Sequence, residues 1–296
     1  MAEATKRLAV VTGANRGIGF AICKQLIFNG IKVVLTAIDE KSGLEAVEKL
    51  KDLTLPGHVF FHQLDLTDPA SIASFENFIV NKFGKLDILV NNAATVGAHI
   101  DGEALAALGV AIDPNRVDWT KIFFENYELV EKCLQTNYFG TKEFTKALIP
   151  ILQCSNSPKI VNISSSIGRL EIMPNGRPKE VLSVVQNLTE ENIDEILNEF
   201  LKDYKEGSLE TKCWPQANSA YIVSKVALNA YTRILAKNYP SFCINAICPG
   251  YVKTDMNHGN GVLTPDEGAE PIVRLILLQD SSHSGLFFAR DEEKSF

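Results

Sequence analysis

Apolar runs rich in Val, Ile and Leu, with no polar alternation, recur along the chain between stretches whose apolar residues return every three or four positions. Short unbroken runs mark strands buried on both faces, and the longer period marks helices that cover them. The runs predict seven strands, over Leu8–Thr12, Lys32–Thr36, Val59–Leu64, Asp87–Asn91, Lys159–Ser164, Cys243–Cys248 and Gly285–Phe288. Strand and helix alternate for most of the length, which is the pattern of a mainly parallel α/β sheet with helices on both faces.

Helix starts are legible where the chain supplies its own caps. Asp68 precedes Pro69 at a first-turn position, and Thr264-Pro265-Asp266-Glu267 reads as a capping box with Pro at the first helical position. Two stretches break the alternation. Residues 95–118 carry Ala and Gly with no strand, ahead of a long helix over about 121–149; residues 169–214 hold a helix near Thr189–Tyr204. Insertions of this length in an α/β domain are usually functional, and both follow strand C-terminal ends, where open sheets bind ligands. No repeat or linker divides residues 1–296, so one domain is expected, with the two insertions covering a substrate pocket.

Composition narrows the partners. The net charge of −7 offers no basic stripe for a nucleic acid, and no apolar run approaches the roughly 18 residues of a membrane span. The N-terminus leads into the first strand without a signal-peptide pattern, so the cytosol is the expected compartment. Six cysteines and five histidines show no metal-ligand spacing, and the cysteines are expected as buried free thiols.

Candidate chemistry centres on Tyr221 and Lys225, four apart on one helical face. A phenol normally titrates near 10, and an ammonium a few Å away favours its ionised form, which suits a proton donor to a ketone. After the first strand comes Thr12-Gly13-Ala14-Asn15-Arg16-Gly17-Ile18-Gly19, opening a helix to about Asn29. Glycines there let backbone N–H groups and the positive helix end approach a pyrophosphate.

These segments resemble the short-chain dehydrogenase/reductase family, whose TGxxxGxG turn the chain matches. Further matches follow in the family's order: Asp65-Leu66, Asn91-Asn92-Ala93-Ala94, Thr136-Asn137-Tyr138, Val161-Asn162-Ile163-Ser164-Ser165-Ser166, Tyr221 with Lys225, and Pro249-Gly250-Tyr251-Val252-Lys253-Thr254. The resemblance implies a Rossmann-type, doubly wound fold and hydride transfer between a nicotinamide and a carbonyl. In the roles it implies, Tyr221 donates the proton, Ser165 holds the carbonyl oxygen, Lys225 lowers the tyrosine pKa and binds ribose, and Asn137 fixes a water leading to Lys225. Ser165 is chosen over its neighbours Ser164 and Ser166 by aligning the strand, with a one-residue slip left open. Implied cofactor contacts are Gly13, Asn15, Arg16, Gly17, Ile18, Gly19, Ile38, Asp65, Leu66, Asn91, Ala93, Tyr221, Lys225, Pro249, Gly250, Val252 and Thr254. Ala94 departs from the motif glycine and would narrow the pocket without removing a reacting group.

Cofactor choice rests on two positions. Arg16 is placed to meet the 2′-phosphate of NADP(H), as in NADP-dependent relatives, which usually carry a second Arg where Ile38 stands in Thr36-Ala37-Ile38-Asp39. NAD-specific members place an acid at the position of Ala37. NADP(H) is therefore favoured, and NAD(H) stays open.

The separation of 56 positions from Ser165 to Tyr221 exceeds the spacing of tetrameric members. With the segments Phe61–Asp65, Phe83–Val90 and Leu228–Arg233, this resembles the plant branch of salutaridine reductase and the menthone/neomenthol reductases. That branch implies a monomer and a small hydrophobic ring ketone or its alcohol, terpenoid or alkaloid in kind. A branch member that reduces a carbon–carbon double bond lacks the tyrosine, so Tyr221 implies carbonyl chemistry. Expected pocket walls are Val96–Ile100, Ile167–Met173, Trp214 and Tyr251–Met256. An NAD(H)-dependent alcohol dehydrogenase of the same family and a non-catalytic dinucleotide-binding protein are the alternatives.

Overall fold

The computed structural model describes residues 7–53, 58–108, 117–184, 186–278 and 283–296. Its first half runs β1 (Leu8–Val11), α1 (Gly17–Phe28), β2 (Lys32–Ala37), α2 (Glu40–Lys51), β3 (Val59–Gln63), α3 (Pro69–Phe83) and β4 (Ile88–Asn91). A small excursion follows, with β5 (His99–Ile100), α4 (Gly102–Leu108) and β6 (Phe123–Phe124). Then come α5 (Tyr127–Leu134), a π-helical turn (Gln135–Gly140), α6 (Thr141–Leu152) and β7 (Lys159–Ile163). The second insertion holds α7 (Arg177–Ser183) and α8 (Glu190–Lys205). The chain closes with α9 (Ser219–Asn238), β8 (Cys243–Cys248), α10 (Pro265–Leu277), β9 (Phe287–Ala289) and β10 (Glu292–Lys294).

The main sheet has the order β10-β9-β8-β7-β4-β1-β2-β3, parallel throughout except for the β9–β10 hairpin. Winding reverses between β1 and β4, and a crevice forms at such a switch point outside the strand C-termini. Successive residues of β1 face opposite layers. Leu8 and Val10 pack with Phe75, Phe144, Val223, Ala227 and Tyr231 of α3, α6 and α9; Ala9 and Val11 pack with Ile22, Leu26, Leu50, Ile272 and Ile276 of α1, α2 and α10. Each such side chain, fully buried, contributes about 1.5–3 kcal/mol. A helix cap contributes about 1 kcal/mol, so caps set where helices start and the two cores hold them there.

The self-capped helices begin where their signals stand. Asp68 accepts from Ala70 N at 2.9 Å, and Thr264 and Glu267 form their reciprocal box. Three readings change. The sheet has eight strands, because Glu292-Glu293-Lys294 adds an antiparallel edge with no apolar residue to signal it. The stretch 95–118 does contain a strand, His99–Ile100, paired antiparallel with Phe123–Phe124 and too short to show a period. The expected helix over 121–149 starts at Tyr127, where Asn126 accepts from Leu129 N at 2.9 Å, and runs through a π turn to Leu152.

The second insertion lies on the helical layer. Ile193, Ile196, Leu197 and Phe200 of α8 are buried in the cluster that holds Val223, Val226 and Ala227 of α9 and Val130 of α5. Among the described residues no helix is long and apolar enough to cross a membrane. The six cysteines are free thiols, four of them buried, while Cys154 is exposed and Cys213 partly so.

Candidate active site

The glycine turn closes β1 against the end of β4. Gly13 and Gly17 take φ of +59° and +58°, a region that L side chains avoid, and a Cβ on Gly13 would lie 2.9 Å from Ala93 Cα. Asn92 fastens the turn: its Nδ2 donates to Thr12 O at 2.9 Å and Gly13 O at 3.0 Å, and its backbone N–H donates to Thr12 Oγ1. A Cβ on Gly19 would fall 2.6 Å from that amide nitrogen. The start of α1 has no side-chain cap and no acidic residue in its first turn, so its free N–H groups and positive end face the crevice. Such a cradle fits a dinucleotide's phosphates.

Around it, Asn15 donates to Ser42 Oγ at 3.0 Å, tying the turn to the start of α2, where Asp39 accepts from Ser42 N. Ile38 is 61% exposed beyond β2. Arg16 is exposed and pairs with Asp255 at 2.8 Å, so the turn and the loop after β8 meet across the mouth of the crevice. Asp65 accepts from Thr67 N and Oγ1 in a local turn, and Leu66 is buried beneath it. The Asn91 side chain turns inward, donating to Thr145 and Asn162 and leaving its buried Oδ1 without a partner. Ala94 has negative φ and therefore no need of glycine there. After β8, Pro249 O accepts from Arg290 and Gly250 adopts φ +91°; Val252 is buried and Thr254 lies against Gly17.

Tyr221 and Lys225 stand in the first two turns of α9, with Lys225 Nζ 5.5 Å from the centre of the Tyr221 ring. Lys225 is buried and donates to Ile163 O, at the end of β7, at 2.8 Å. Ser165 follows that strand with extended backbone, and its hydroxyl lies close enough to the Tyr221 phenol to lower its titration. Ser164 is buried with no partner for its Oγ, and Ser165 is the serine that meets Tyr221.

Burial governs both titrations. Desolvation pushes the phenol above its ordinary value, and the Ser165 hydroxyl only partly opposes it. Desolvation pulls the Lys225 ammonium down from 10.5 to about 8. The expected lowering of Tyr221 by Lys225 is therefore corrected: burial dominates the phenol, and the ammonium, which donates to Ile163 O, is not among the groups that lower it.

Asn137 sits in the π turn, and its side chain is fully engaged. Its Oδ1 accepts from Thr95 N at 2.8 Å, while its Nδ2 donates to Thr95 O at 2.9 Å and Ser224 Oγ at 3.0 Å. It holds the base of the first insertion. Of the expected pocket walls, Trp214 and Met173 are core. Trp214 packs on Phe200 and donates to Asp203 at 2.8 Å, whereas Tyr251, Met256 and Ile172 are exposed. Reading the sequence missed Asn92, Thr95 and Glu125 as supporting residues; Asn92, standing within the quoted motif, was the one with a signal.

A doubly wound sheet with a phosphate cradle at its switch point, and Ser, Tyr and Lys gathered beside it, defines a nicotinamide-dinucleotide oxidoreductase. The family profile described as "short chain dehydrogenase" matches residues 7–176, and one described as "Enoyl-(Acyl carrier protein) reductase" matches residues 207–296. The chain belongs to the short-chain dehydrogenase/reductase family. It is 52% identical to a (+)-neomenthol dehydrogenase of Arabidopsis thaliana over 100% of both chains. It is 50% identical to a (-)-isopiperitenone reductase of Mentha piperita, over 99% of this chain and 98% of that one. The solved structure of salutaridine reductase from Papaver somniferum superposes with a TM-score of 0.89 at 49% identity, covering 96% of this chain and 99% of that one. These relatives belong to the branch that the long Ser165–Tyr221 spacing had indicated.

Proposed function

We propose that the protein reduces a hydrophobic cyclic ketone, terpenoid or alkaloid in kind, to its secondary alcohol with NADP(H). The gathering of Ser165, Tyr221 and Lys225 at the C-terminal end of β7, beside the glycine cradle, carries the reading. Bound nicotinamide supplies the hydride. Ser165 donates to the carbonyl oxygen and fixes it where negative charge grows. Tyr221, protonated at neutral pH as any phenol titrating at or above its ordinary value is, delivers the proton. The alkoxide oxygen left when the carbonyl carbon takes the hydride is a far stronger base than a phenolate, so the transfer runs downhill. Lys225 places positive charge behind the phenolate left behind.

The substrate class follows the names of the relatives, and the exposed apolar side chains Tyr251, Met256 and Ile172 suit an apolar ligand. NADP(H) is favoured by Arg16 at the cradle and by the absence of an acid at Ala37. The Arg16–Asp255 pair does not argue against it: an exposed pair is worth about 0–1 kcal/mol, so a phosphate can recruit the guanidinium at small cost. Ile38 contributes no charge, which keeps an NAD(H)-dependent alcohol dehydrogenase as the second reading. A monomer accompanies the first, since α8 covers α5 and α9 and the charged, exposed β10 closes one sheet edge. Free thiols suit the cytosol.

Purified protein with NADPH or NADH, offered menthone, other cyclic ketones and aromatic aldehydes, should consume reduced nicotinamide with at least one cyclic ketone. No loss of its absorbance across the panel overturns the reading.

A further inference from the structure

The helix that carries Tyr221 lacks a cap of its own. Asn218 occupies the capping position in a left-handed conformation, φ 51°, makes no side-chain cap, and leaves its buried Oδ1 without a partner. The cap arrives from 94 residues upstream. Glu125 accepts from Ser219 Oγ at 2.9 Å through Oε2 and 3.1 Å through Oε1, and Oε1 also accepts from Ala220 N at 3.0 Å. Tyr221 is the next residue. Burial raises the Glu125 carboxyl, and these hydrogen bonds offset the rise only in part.

Glu125 also closes the excursion that runs from β5 to β6. It follows β6, whose pairing with β5 makes a small flap, and Gly97 in that flap packs so closely that a Cβ there would lie 3.1 Å from Ala220 Cβ. The other base of the flap, Thr95, is clasped at both N and O by Asn137 and accepts from Cys133 Sγ at 3.2 Å. Both ends of the flap are thus fastened to elements that hold the reacting groups.

We propose that Glu125 is a positioning residue for Tyr221: its carboxylate replaces the missing cap of α9 and ties the placement of the phenol to the β5–β6 flap. The kinetic consequence rests on the ketone-reductase reading; the cap rests on geometry alone.

The test uses the full chain with Glu125→Gln, the milder Ser219→Ala, and both together. Amide hydrogen exchange is followed over 219–224, and menthone turnover is expressed per NADPH-binding site found by titration. Glu125→Gln should speed exchange at the start of α9 about tenfold, as loss of a helix cap does. It should lower kcat per site about tenfold and move KM for NADPH less than twofold. Ser219→Ala should show a smaller loss in the same direction, and the double variant should be little worse than Glu125→Gln alone. A purely structural role would lower the number of NADPH-binding sites and leave kcat per site intact, and that result overturns the proposal. Unchanged exchange in both single variants overturns it too. If the unsubstituted chain binds NADPH but turns over no ketone, the reductase reading fails and the exchange rates alone decide the cap.

Discussion

Replacing Lys225 with Met should make the protein more stable near pH 7 while removing the cation from behind Tyr221. The ammonium is 2% exposed and titrates at about 8 instead of 10.5. Each pH unit of that fall corresponds to about 1.4 kcal/mol, so the charged lysine costs about 3 kcal/mol more in the folded chain than in water. Against this stands its hydrogen bond to Ile163 O, worth about 1 kcal/mol or somewhat more because the donor is charged. A Met of similar length removes both, for a net gain of about 2 kcal/mol.

The sign with pH is specific. Below about 8 lysine is protonated in both states and folding bears the whole cost; above 10.5 it is neutral in both. Between these values the folded chain sheds its proton first, the unfolded chain binds more protons, and stability rises with pH by up to about 1.4 kcal/mol per unit. Lys225→Met lacks this titration, so its advantage should be full near pH 7 and nearly gone near pH 9.5. Urea unfolding followed by fluorescence of the buried Trp214 reads it, as a midpoint shift of about 0.7–1 M for a slope of about 2–3 kcal/mol/M. A variant less stable than the parent near pH 7, or a gap that does not narrow as pH rises, refutes the reasoning.

Three further changes address the site. Tyr221→Phe should abolish ketone reduction while NADPH binding, followed by nucleotide fluorescence, stays within about threefold; retained turnover would assign the proton to another acid. Ser165→Ala should lower kcat by about a hundredfold, the order of a lost oxyanion donor, whereas Ser164→Ala removes a buried hydroxyl with no partner and should leave the melting temperature unchanged or raised. The reverse ranking in turnover would mean the strand slips by one residue in the working enzyme. Ile38→Arg, at a 61% exposed position beside the cradle, should lower KM for NADPH about three- to tenfold and leave KM for NADH unchanged. Equal effects on the two nucleotides would place Ile38 away from the phosphate.

What the sequence made legible depended on the range of the interaction. Helices capped from within their own first turn, as at Asp68 and Thr264, begin where expected, because the cap and the N–H it accepts from lie two or three residues apart. The buried parallel strands are equally plain, since both faces demand apolar residues at most positions. The strands that escaped are those whose reason to exist lies in a partner. Glu292-Glu293-Lys294 is a strand only because Phe287–Ala289 offers it an edge, and His99–Ile100 only because Phe123–Phe124 lies across from it.

The site divides along the same line. Gly13, Ser165, Tyr221 and Lys225 are legible because the chemistry demands particular side chains at particular places in a motif. Asn218 shows why their supports are not. Asparagine before an amphipathic run is a favoured N-cap, and the sequence gives no reason to look further. Its left-handed backbone withdraws the side chain, and the cap falls to Glu125, which no local pattern connects to residue 219. Asn137 is the converse. Its motif marks it for the reacting centre, yet its amide is spent clasping Thr95, the opposite base of the same flap. A motif residue and an unmarked one thus perform matching tasks at the two bases of the flap. Changes in the flap should therefore alter turnover through Tyr221 even where they touch no substrate.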